Sequence, residues 1–262
     1  MTIRWPAEAI WETVAPLLPG FTVEILPEID STNTELMRRA RGGQIEPILL
    51  VAERQTAGRG RLGRGWQSDT DAGLATLTFS LGLPLQPADW SGLSLAVGLA
   101  VVQSLHPALK LKWPNDVWLD DRKLAGILIE TTSVGEVRYA VIGIGVNLLP
   151  RAADGLRTAP AALVELSPEA HGPSTLERIV LPLVRAVLEF ETQGFAGSRT
   201  AFHARDLLYG RQVVCTDGTA GMARGVDATG ALLVHTAGGL QKISSAEVSV
   251  RPVLPPVSPN PL

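Results

Sequence analysis

Apolar and polar positions in the first half of the chain predict a sheet-forming protein. Residues 21–29 and 74–83 alternate between apolar and polar side chains, as half-buried strands do. Residues 48–52 form a short apolar run typical of a buried strand. Residues 123–132 and 137–148 are rich in β-branched side chains and are predicted to pair as a hairpin.

Apolar residues at helical spacing predict four helices: 6–17, 90–105, 175–191 with Ser174 or Thr175 as its cap, and 199–208. A further helix is expected to begin near Asp30, Ser31 and Thr32, since each is a good N-cap residue and Glu35 follows closely. The same hydroxyl groups could instead contact a small polar ligand, together with the amide of Asn33. Both interpretations stay open at this point.

The pattern changes at Tyr209. Short β-branched segments follow, with Gly-containing turn pairs between them, at 211–216, 220–226, 231–235 and 240–243. They predict a small β-barrel over residues 209–251, after a first domain over residues 1–208. Residues 252–262 contain five prolines in eleven positions and are predicted to be disordered. The Ala-, Pro- and Gly-rich residues 150–173 are expected to form a surface connection with a short helical piece.

Composition narrows the class of protein. The 262 residues are 45% hydrophobic and 19% charged, with a net charge of −3, which is typical of a globular protein and argues against binding driven by bulk positive charge. The single cysteine, Cys215, excludes an intrachain disulfide and a cysteine-based zinc cluster. No signal-peptide core is present, and no apolar run reaches the roughly 18 residues needed to cross a bilayer. A cytoplasmic protein without a membrane partner is expected.

A short loop concentrates positive charge on flexible backbone. Residues 52–66 contain four arginines interleaved with four glycines. Guanidinium groups bind phosphates and carboxylates with paired hydrogen bonds, so an anion would order such a segment. Residues 58–63 match G-x-G-x-x-G, but no helical pattern follows, and the Gly-Lys-Ser/Thr of a Walker A loop is missing. A solvated basic face is the alternative for the arginines, and a core position the alternative for Trp66.

A second group of charged and polar side chains surrounds a predicted bend. Lys112-Trp113-Pro114-Asn115-Asp116 places a cation, an amide and a carboxylate around one proline, and Lys123 follows at the start of a strand. Both lysines could bind a polarised oxygen or simply be exposed charges at strand ends.

Four segments resemble the successive motifs of the biotin–protein ligases. They are residues 55–66, 112–116, 122–130 and 142–147, and Ser31-Thr32-Asn33 resembles the first biotin-contacting turn of that family. Residues 225–251 resemble its small C-terminal barrel. The resemblance implies an α+β fold: a mixed or antiparallel sheet flanked by helices, followed by an SH3-like β-barrel. It is to the monofunctional type, since only about twenty residues precede the first strand, so DNA binding is not expected.

The resemblance also implies roles for individual residues. The biotin-binding set would be Ser31, Thr32, Asn33, Gln55, Arg59, Gly60, Arg61 and Lys123. The set that binds ATP and the adenylate would be Arg59, Arg61, Arg64, Trp66, Lys112, Asn115, Asp116, Gly126 and Asn147. Arg61 and Lys123 would be catalytic, and Asp116 would bind Mg²⁺.

The implied reaction joins biotin to a protein. ATP, with Mg²⁺, would activate biotin to biotinyl-5′-AMP, and a lysine of the biotin carboxyl carrier domain of a carboxylase would accept it. The enzyme would be a monomer or a homodimer. The alternatives are a lipoate or octanoate ligase, which shares the fold, and a non-catalytic nucleotide-binding regulator.

Overall fold

The computed structural model describes residues 3–67, 74–151, 159–244 and 250–252. The prediction of disorder for the proline-rich tail therefore falls outside the described residues, except at Pro252. No helix in the described ranges is both long enough and apolar enough to cross a membrane.

The described residues form five α-helices: α1 (Ala7–Val14), α2 (Thr32–Arg41), α3 (Leu93–Leu105), α4 (Gly172–Gln193) and α5 (Arg199–Arg205). Helix α3 begins later than predicted because Gly92, just before it, has a left-handed backbone with φ +84°. Helix α4 begins earlier than predicted. His171 caps it, accepting a hydrogen bond from the Ser174 backbone N–H at 3.3 Å. The predicted caps Ser174 and Thr175 are thus wrong, because histidine is not a usual capping residue in sequence patterns.

The first sheet has seven strands: β1 (Thr22–Ile29), β2 (Ile48–Gln55), β3 (Thr76–Pro84), β4 (Lys110–Lys112), β5 (Asp116–Leu119), β6 (Arg122–Val134) and β7 (Val137–Asn147). Their order is β1-β2-β3-β7-β6-β5-β4. Only β1 and β2 pair in parallel, and the other neighbours are antiparallel. The sheet is therefore mixed, and the predicted hairpin is confirmed as β6 and β7.

The two faces of this sheet differ in what covers them. One face carries the main core, to which Phe79, Ile127 and Ile144 belong. Helices α3 and α4 pack together in this core, and both contact the sheet. On the opposite face a small apolar cluster that includes Leu36 and Leu50 seats α2 over one end. This apolar cluster does not extend over the part of that face beside the start of α2.

The second sheet has five antiparallel strands: β8 (Gln212–Cys215), β9 (Ala220–Val226), β10 (Leu232–Thr236), β11 (Gly239–Ile243) and β12 (Val250–Pro252). Their order is β11-β10-β9-β8-β12. The predicted α+β fold with a small C-terminal β domain is confirmed. Strand β12 is an addition to the prediction, since it pairs with β8 across a long sequence separation.

Two contacts attach the second sheet to the first. The buried indole of Trp113 donates a hydrogen bond to the Gly230 carbonyl at 3.0 Å. Arg211 forms an ion pair with Asp121, at 2.5 Å, in the turn between β5 and β6. Trp113 lies within the Lys-Trp-Pro-Asn-Asp segment, so the bend that carries Lys112 and Asn115 is anchored to the C-terminal domain.

Candidate active site

Several of the predicted site residues lie in one row across the first sheet. Lys112, Asp116, Gly126, Gly145 and Thr78 are paired in succession across β4, β5, β6, β7 and β3. Residues directly opposite one another in a sheet share a face. These residues, called the first row below, therefore lie on the face opposite the main core.

A second row runs parallel to the first, two residues further along each strand. Leu128, Gly143 and Ser80 are paired in succession across β6, β7 and β3. Because side chains alternate between faces along a strand, this second row lies on the same face as the first. The sheet therefore presents two adjacent rows to whatever binds here.

The glycines of β7 make room for two side chains. A Cβ atom on Gly143 would lie 2.1 Å from the Asn33 Oδ1, and one on Gly145 would lie 2.3 Å from the Trp66 Cε2. Both distances are too short for any side chain. Glycine is needed here because Asn33 and Trp66 approach the strand closely, which agrees with the expectation that glycine in a strand marks a close approach.

A fixed polar wall stands at the start of α2. Ser31, Thr32 and Asn33 are each at most 3% exposed. The Ser31 hydroxyl accepts a hydrogen bond from the Thr34 backbone N–H, and Gln55 accepts one from the Thr32 backbone N–H at 2.8 Å. Ser31 is thus a helix cap and a wall residue at once.

Ser80 ties this wall to the sheet. Its hydroxyl lies 2.7 Å from both the Thr32 hydroxyl and the Asn33 Oδ1, and its side chain is fully buried. Sequence reasoning did not assign Ser80 to the site. The polar positions on one face of β3 (Thr76, Thr78 and Ser80) were the available signal, since hydroxyls facing inward need partners.

The glycine–arginine loop folds back on itself. Gly60 donates a backbone hydrogen bond to Arg64 at 2.7 Å, and Trp66 donates one to Gly58 at 2.8 Å. The turn between them includes Leu62, with φ 57°, and Gly63, with φ 70°. Backbone bonds of this kind carry the loop across the open face and return the chain at Trp66.

The four arginines of the loop have different surroundings. Arg59 pairs with Glu130 at 3.0 Å, and Arg61 donates to the Asn115 Oδ1 at 3.1 Å. Arg61 is half-buried, and burial lowers its pKa from a very high ordinary value. Arg54, at the end of β2, forms an exposed ion pair with Glu28 of the edge strand β1, and Arg64 is exposed. The loop therefore turns only part of its charge toward the sheet.

Lys123 is held by its backbone as well as its side chain. Its Nζ lies 2.8 Å from the Asp116 Oδ1 and 5.8 Å from the centroid of the Trp66 ring. Its carbonyl oxygen accepts hydrogen bonds from the Asn147 side chain at 3.2 Å and from the Ala161 backbone at 3.0 Å. Asn147 is fully buried behind it.

The segment around Ala161 corrects one expectation. Residues 150–173 were expected to form a surface connection, yet Ala161, Ala162 and Leu163 are at most 1% exposed. The expected short helical piece is present as a 3₁₀ turn, Leu163–Glu165. The small side chains suited a surface loop in the sequence pattern, but here they permit close packing beneath Lys123.

Lys112 is buried rather than an exposed strand end. It is 9% exposed, and its ammonium lies 5.1 Å from the centroid of the Trp118 ring. Burial is the main cause that lowers its pKa, and the Asp116 carboxylate opposes this shift. Neighbouring cations add to the depression: Lys123, Arg64 and Arg251.

One cavity gathers most of the predicted site residues. It has an empty volume of about 460 Å³, its open mouth included. The predicted residues that line it are Ser31, Thr32, Asn33, Gln55, Arg59, Gly60, Arg61, Trp66, Asn115, Lys123 and Gly126. Residues that the sequence did not assign also line it: Thr78, Phe79, Ile127, Leu128, Gly143, Ile144 and Gly145. The predicted residues Arg64, Lys112, Asp116 and Asn147 lie outside this lining.

The oxygen atoms near Lys123 suit a magnesium ion that arrives with a nucleotide. Among the residues that the structure describes, no group of three or more His, Cys, Asp or Glu side chains could hold a metal by itself. Mg²⁺ is usually held by one or two carboxylates together with substrate phosphates. Within the described residues the buried Asn147 Oδ1 has no hydrogen-bond partner, and together with the Asp116 carboxylate it fits that requirement.

Comparison with known proteins gives the family. Residues 25–147 match the biotin/lipoate A/B protein ligase family, and residues 210–251 match the biotin protein ligase C-terminal domain. The bifunctional ligase/repressor BirA of Escherichia coli is 36% identical over 250 residues, covering 89% of this chain and 75% of that protein. The biotin–acetyl-CoA-carboxylase ligase of Paracoccus denitrificans is 35% identical over 240 residues, covering 86% of this chain and 98% of that protein.

The chain belongs to the biotin protein ligase family.

A solved relative shares the architecture. The biotin protein ligase from Aquifex aeolicus, in complex with biotin and ATP, is 27% identical, covers 88% of this chain and 99% of its own, and superposes with a TM-score of 0.75. As a biotin protein ligase, the chain is an enzyme of the ligase class, and the resemblance drawn from its motifs is confirmed. The cavity between α2, β6, β7 and the arginine loop is its candidate active site.

Proposed function

We propose that this chain uses ATP to activate biotin and then transfers the biotin to a lysine of a carboxylase's biotin carboxyl carrier domain. One observation supports it above the others: a single cavity joins a neutral polar wall to a cationic rim. Thr32, Asn33 and Gln55 form the wall, and Arg59 and Lys123 belong to the rim. A ureido ring needs donors and an acceptor, whereas a carboxylate and a phosphate need cations.

The first step brings two anions together. A biotin carboxylate oxygen attacks the α-phosphorus of ATP, a bond to phosphorus forms, and the bond to pyrophosphate breaks. Two unit charges 4 Å apart repel by about 4 kcal/mol at an effective dielectric of 20. Lys123 and Arg61, fixed in advance by Asp116 and Asn115, offset that repulsion without reorganisation during the reaction.

Asp116 and Asn147 would hold magnesium, and the ion would supply charge neutralisation to the pyrophosphate leaving group. Asp116 holds Lys123 from the neighbouring strand, and Asn147 fixes the backbone of Lys123 from behind. Trp66, against Gly145, offers a flat apolar surface on which adenine can stack.

The second step is acyl transfer. The neutral amine of the acceptor lysine attacks the acyl carbon of biotinyl-AMP, AMP leaves with the bonding electrons, and the amine loses a proton. Until the acceptor arrives, the mixed anhydride must be shielded from water. The arginine loop, folded back over the open face of the sheet, is placed to provide that shield.

Replacing Arg61 with glycine is expected to release the adenylate early. The variant loses the hydrogen bond to Asn115 that holds the loop at the cavity, so we expect about tenfold faster escape of biotinyl-AMP and labelling of bystander lysines. Mass spectrometry of a mixed-protein reaction measures the labelling. Arg54→Gly, which removes an exposed ion pair at the end of β2, outside the cavity lining, is the matched control. Labelling confined to the carrier protein in the Arg61 variant would contradict the shielding role.

Alkaline pH is expected to weaken ATP binding through Lys112. Only the protonated ammonium attracts phosphates, and the lowered pKa of Lys112 moves its deprotonation below the ordinary lysine value of about 10.4. The KM for ATP should therefore rise as the pH increases toward the ordinary lysine value. Lys112→Arg keeps its charge over this range and should abolish the rise. An equal rise in the arginine variant would assign the titration to another group.

One assay separates the candidate reactions. Pyrophosphate release from ATP is measured with biotin, with lipoate, with octanoate and with no acid. Release that depends on biotin supports the proposal, and release that depends on lipoate or octanoate would make the chain a ligase for linear acyl acids. ATP binding without release under every condition would indicate a non-catalytic regulator.

A further inference from the structure

Glu130 joins the loop to the polar wall. This residue lies on β6, and its side chain is only 21% exposed. Its Oε1 is 3.0 Å from the Nη1 of Arg59, and its Oε2 accepts a hydrogen bond from the Asn33 amide at 3.0 Å. The loop and the wall are more than twenty residues apart in sequence, and a single carboxylate contacts both.

A carboxylate at this position is costly for the proposed reaction. Glu130 lies next to the rim that must attract a biotin carboxylate and ATP phosphates, and its negative charge repels both. Its presence there therefore calls for a contribution that outweighs the repulsion. The contacts indicate what it contributes.

Three hydrogen bonds fix the side chain of Asn33. Its amide nitrogen donates to Glu130 and to the Leu128 carbonyl at 3.2 Å, and its Oδ1 lies 2.7 Å from the Ser80 hydroxyl. Glu130 therefore shares a rigid support with the wall that would receive the biotin ring. Any group that Glu130 holds is placed relative to that ring.

Arg59 is the group that Glu130 holds. Arg59 is 51% exposed, and a long exposed side chain pays rotamer entropy to occupy one position. Both of its contacts with Glu130 use the same nitrogen, Nη1. Within the described part of the chain, the other guanidinium nitrogens remain available to an anion in the cavity, so one nitrogen can be anchored while the others bind.

We infer that Glu130 is a positioning residue that anchors Arg59 over the cavity at a fixed distance from Asn33. Through this anchor the loop takes a fixed position relative to the acid bound against the polar wall. The inference rests on the proposed function, because it concerns how that site retains biotin and its adenylate.

The test replaces Glu130 with glutamine. The amide oxygen of Gln can still accept from Asn33, but the charge that attracts Arg59 is lost. We expect the KM for biotin and the rate of biotinyl-AMP release from the preformed complex each to rise about tenfold, the factor for one lost charge-assisted hydrogen bond. The rate of pyrophosphate release at saturating biotin and ATP should change less than twofold, because the substitution weakens binding and leaves the chemical step unaltered. A KM effect without a kcat effect distinguishes positioning from general damage.

Two controls keep the test sharp. Glu28→Gln removes the carboxylate of the exposed Arg54 pair, outside the cavity lining, and should leave both quantities unchanged. A double-mutant cycle with Arg59→Ala asks whether Glu130 acts through Arg59: in that background Glu130→Gln should have no further effect on adenylate release. Thermal melting of each variant checks that the fold is retained.

Two results would overturn the inference. One is a Glu130→Gln enzyme that matches Glu28→Gln in biotin KM and adenylate release. The other is an effect of equal size with and without Arg59, which would assign Glu130 a structural role through Asn33 alone. Failure of the proposed function would look different, since the unmodified enzyme would then release no pyrophosphate with biotin.

Discussion

Replacing Lys123 with alanine is expected to slow adenylation by about 10²–10³-fold, the usual loss when one preorganised charge-stabilising donor is removed. The substitution removes the cation and also leaves the Asp116 carboxylate, 2.8 Å away, facing the incoming phosphates alone. Both changes raise the charge repulsion between biotin and ATP. Single-turnover pyrophosphate release at saturating biotin and ATP measures the effect on the chemical step.

Lys242→Ala is the matched control. Lys242 also forms an ion pair with an aspartate, Asp227, but lies in the C-terminal domain with a largely exposed side chain. Its removal should leave the adenylation rate unchanged, because exposed ion pairs contribute little. Near-normal turnover in the Lys123 variant would refute the role assigned to that lysine.

A methyl group at Gly143 or at Gly145 is expected to damage binding of different substrates. Gly143→Ala would place a Cβ 2.1 Å from Asn33, so Asn33 must move and the KM for biotin should rise about 10²-fold. Gly145→Ala would place a Cβ 2.3 Å from Trp66, so the indole must move and the KM for ATP should rise by about the same factor. The two variants carry the same change, two residues apart on β7.

Each variant is the control for the other. Steady-state KM values for biotin and for ATP, measured on both, should show the crossed pattern, with melting temperatures to verify folding. If both variants weaken biotin and ATP binding equally, the assignment of Asn33 to biotin and Trp66 to the nucleotide fails.

Local sequence signals were sufficient for most elements of the fold. Strands β6 and β7 follow directly from β-branched residues and a short turn. The start of α2 follows from three candidate capping residues, Asp30, Ser31 and Thr32, of which Ser31 is the cap. Helix ends were harder to predict. Gly92 sets the start of α3 through its left-handed backbone, and His171 caps α4 through a ring nitrogen, and simple sequence patterns include neither effect.

The site was predictable only as a set of residues. The resemblance assigned Asn33, Arg59, Lys123 and Asn115 to one site, and the structure brings them together in one cavity. The motifs did not predict which strands pair. Strand β7 lies between β3 and β6, so the two rows form from segments that are far apart in the chain. Glu130 escaped notice for that reason, since its contact with Asn33 spans 97 residues.

The spacing of the two rows has a practical consequence for reprogramming the enzyme. Positions two residues apart on a strand are separated by about 6.5 Å. Leu128 and Gly143 in the second row are thus one step removed from Gly126 and Gly145 in the first. A library confined to Leu128 and its neighbours could enlarge the pocket for a bulkier cargo, such as a biotin carrying a reporter tag, while the machinery that activates the acid stays intact.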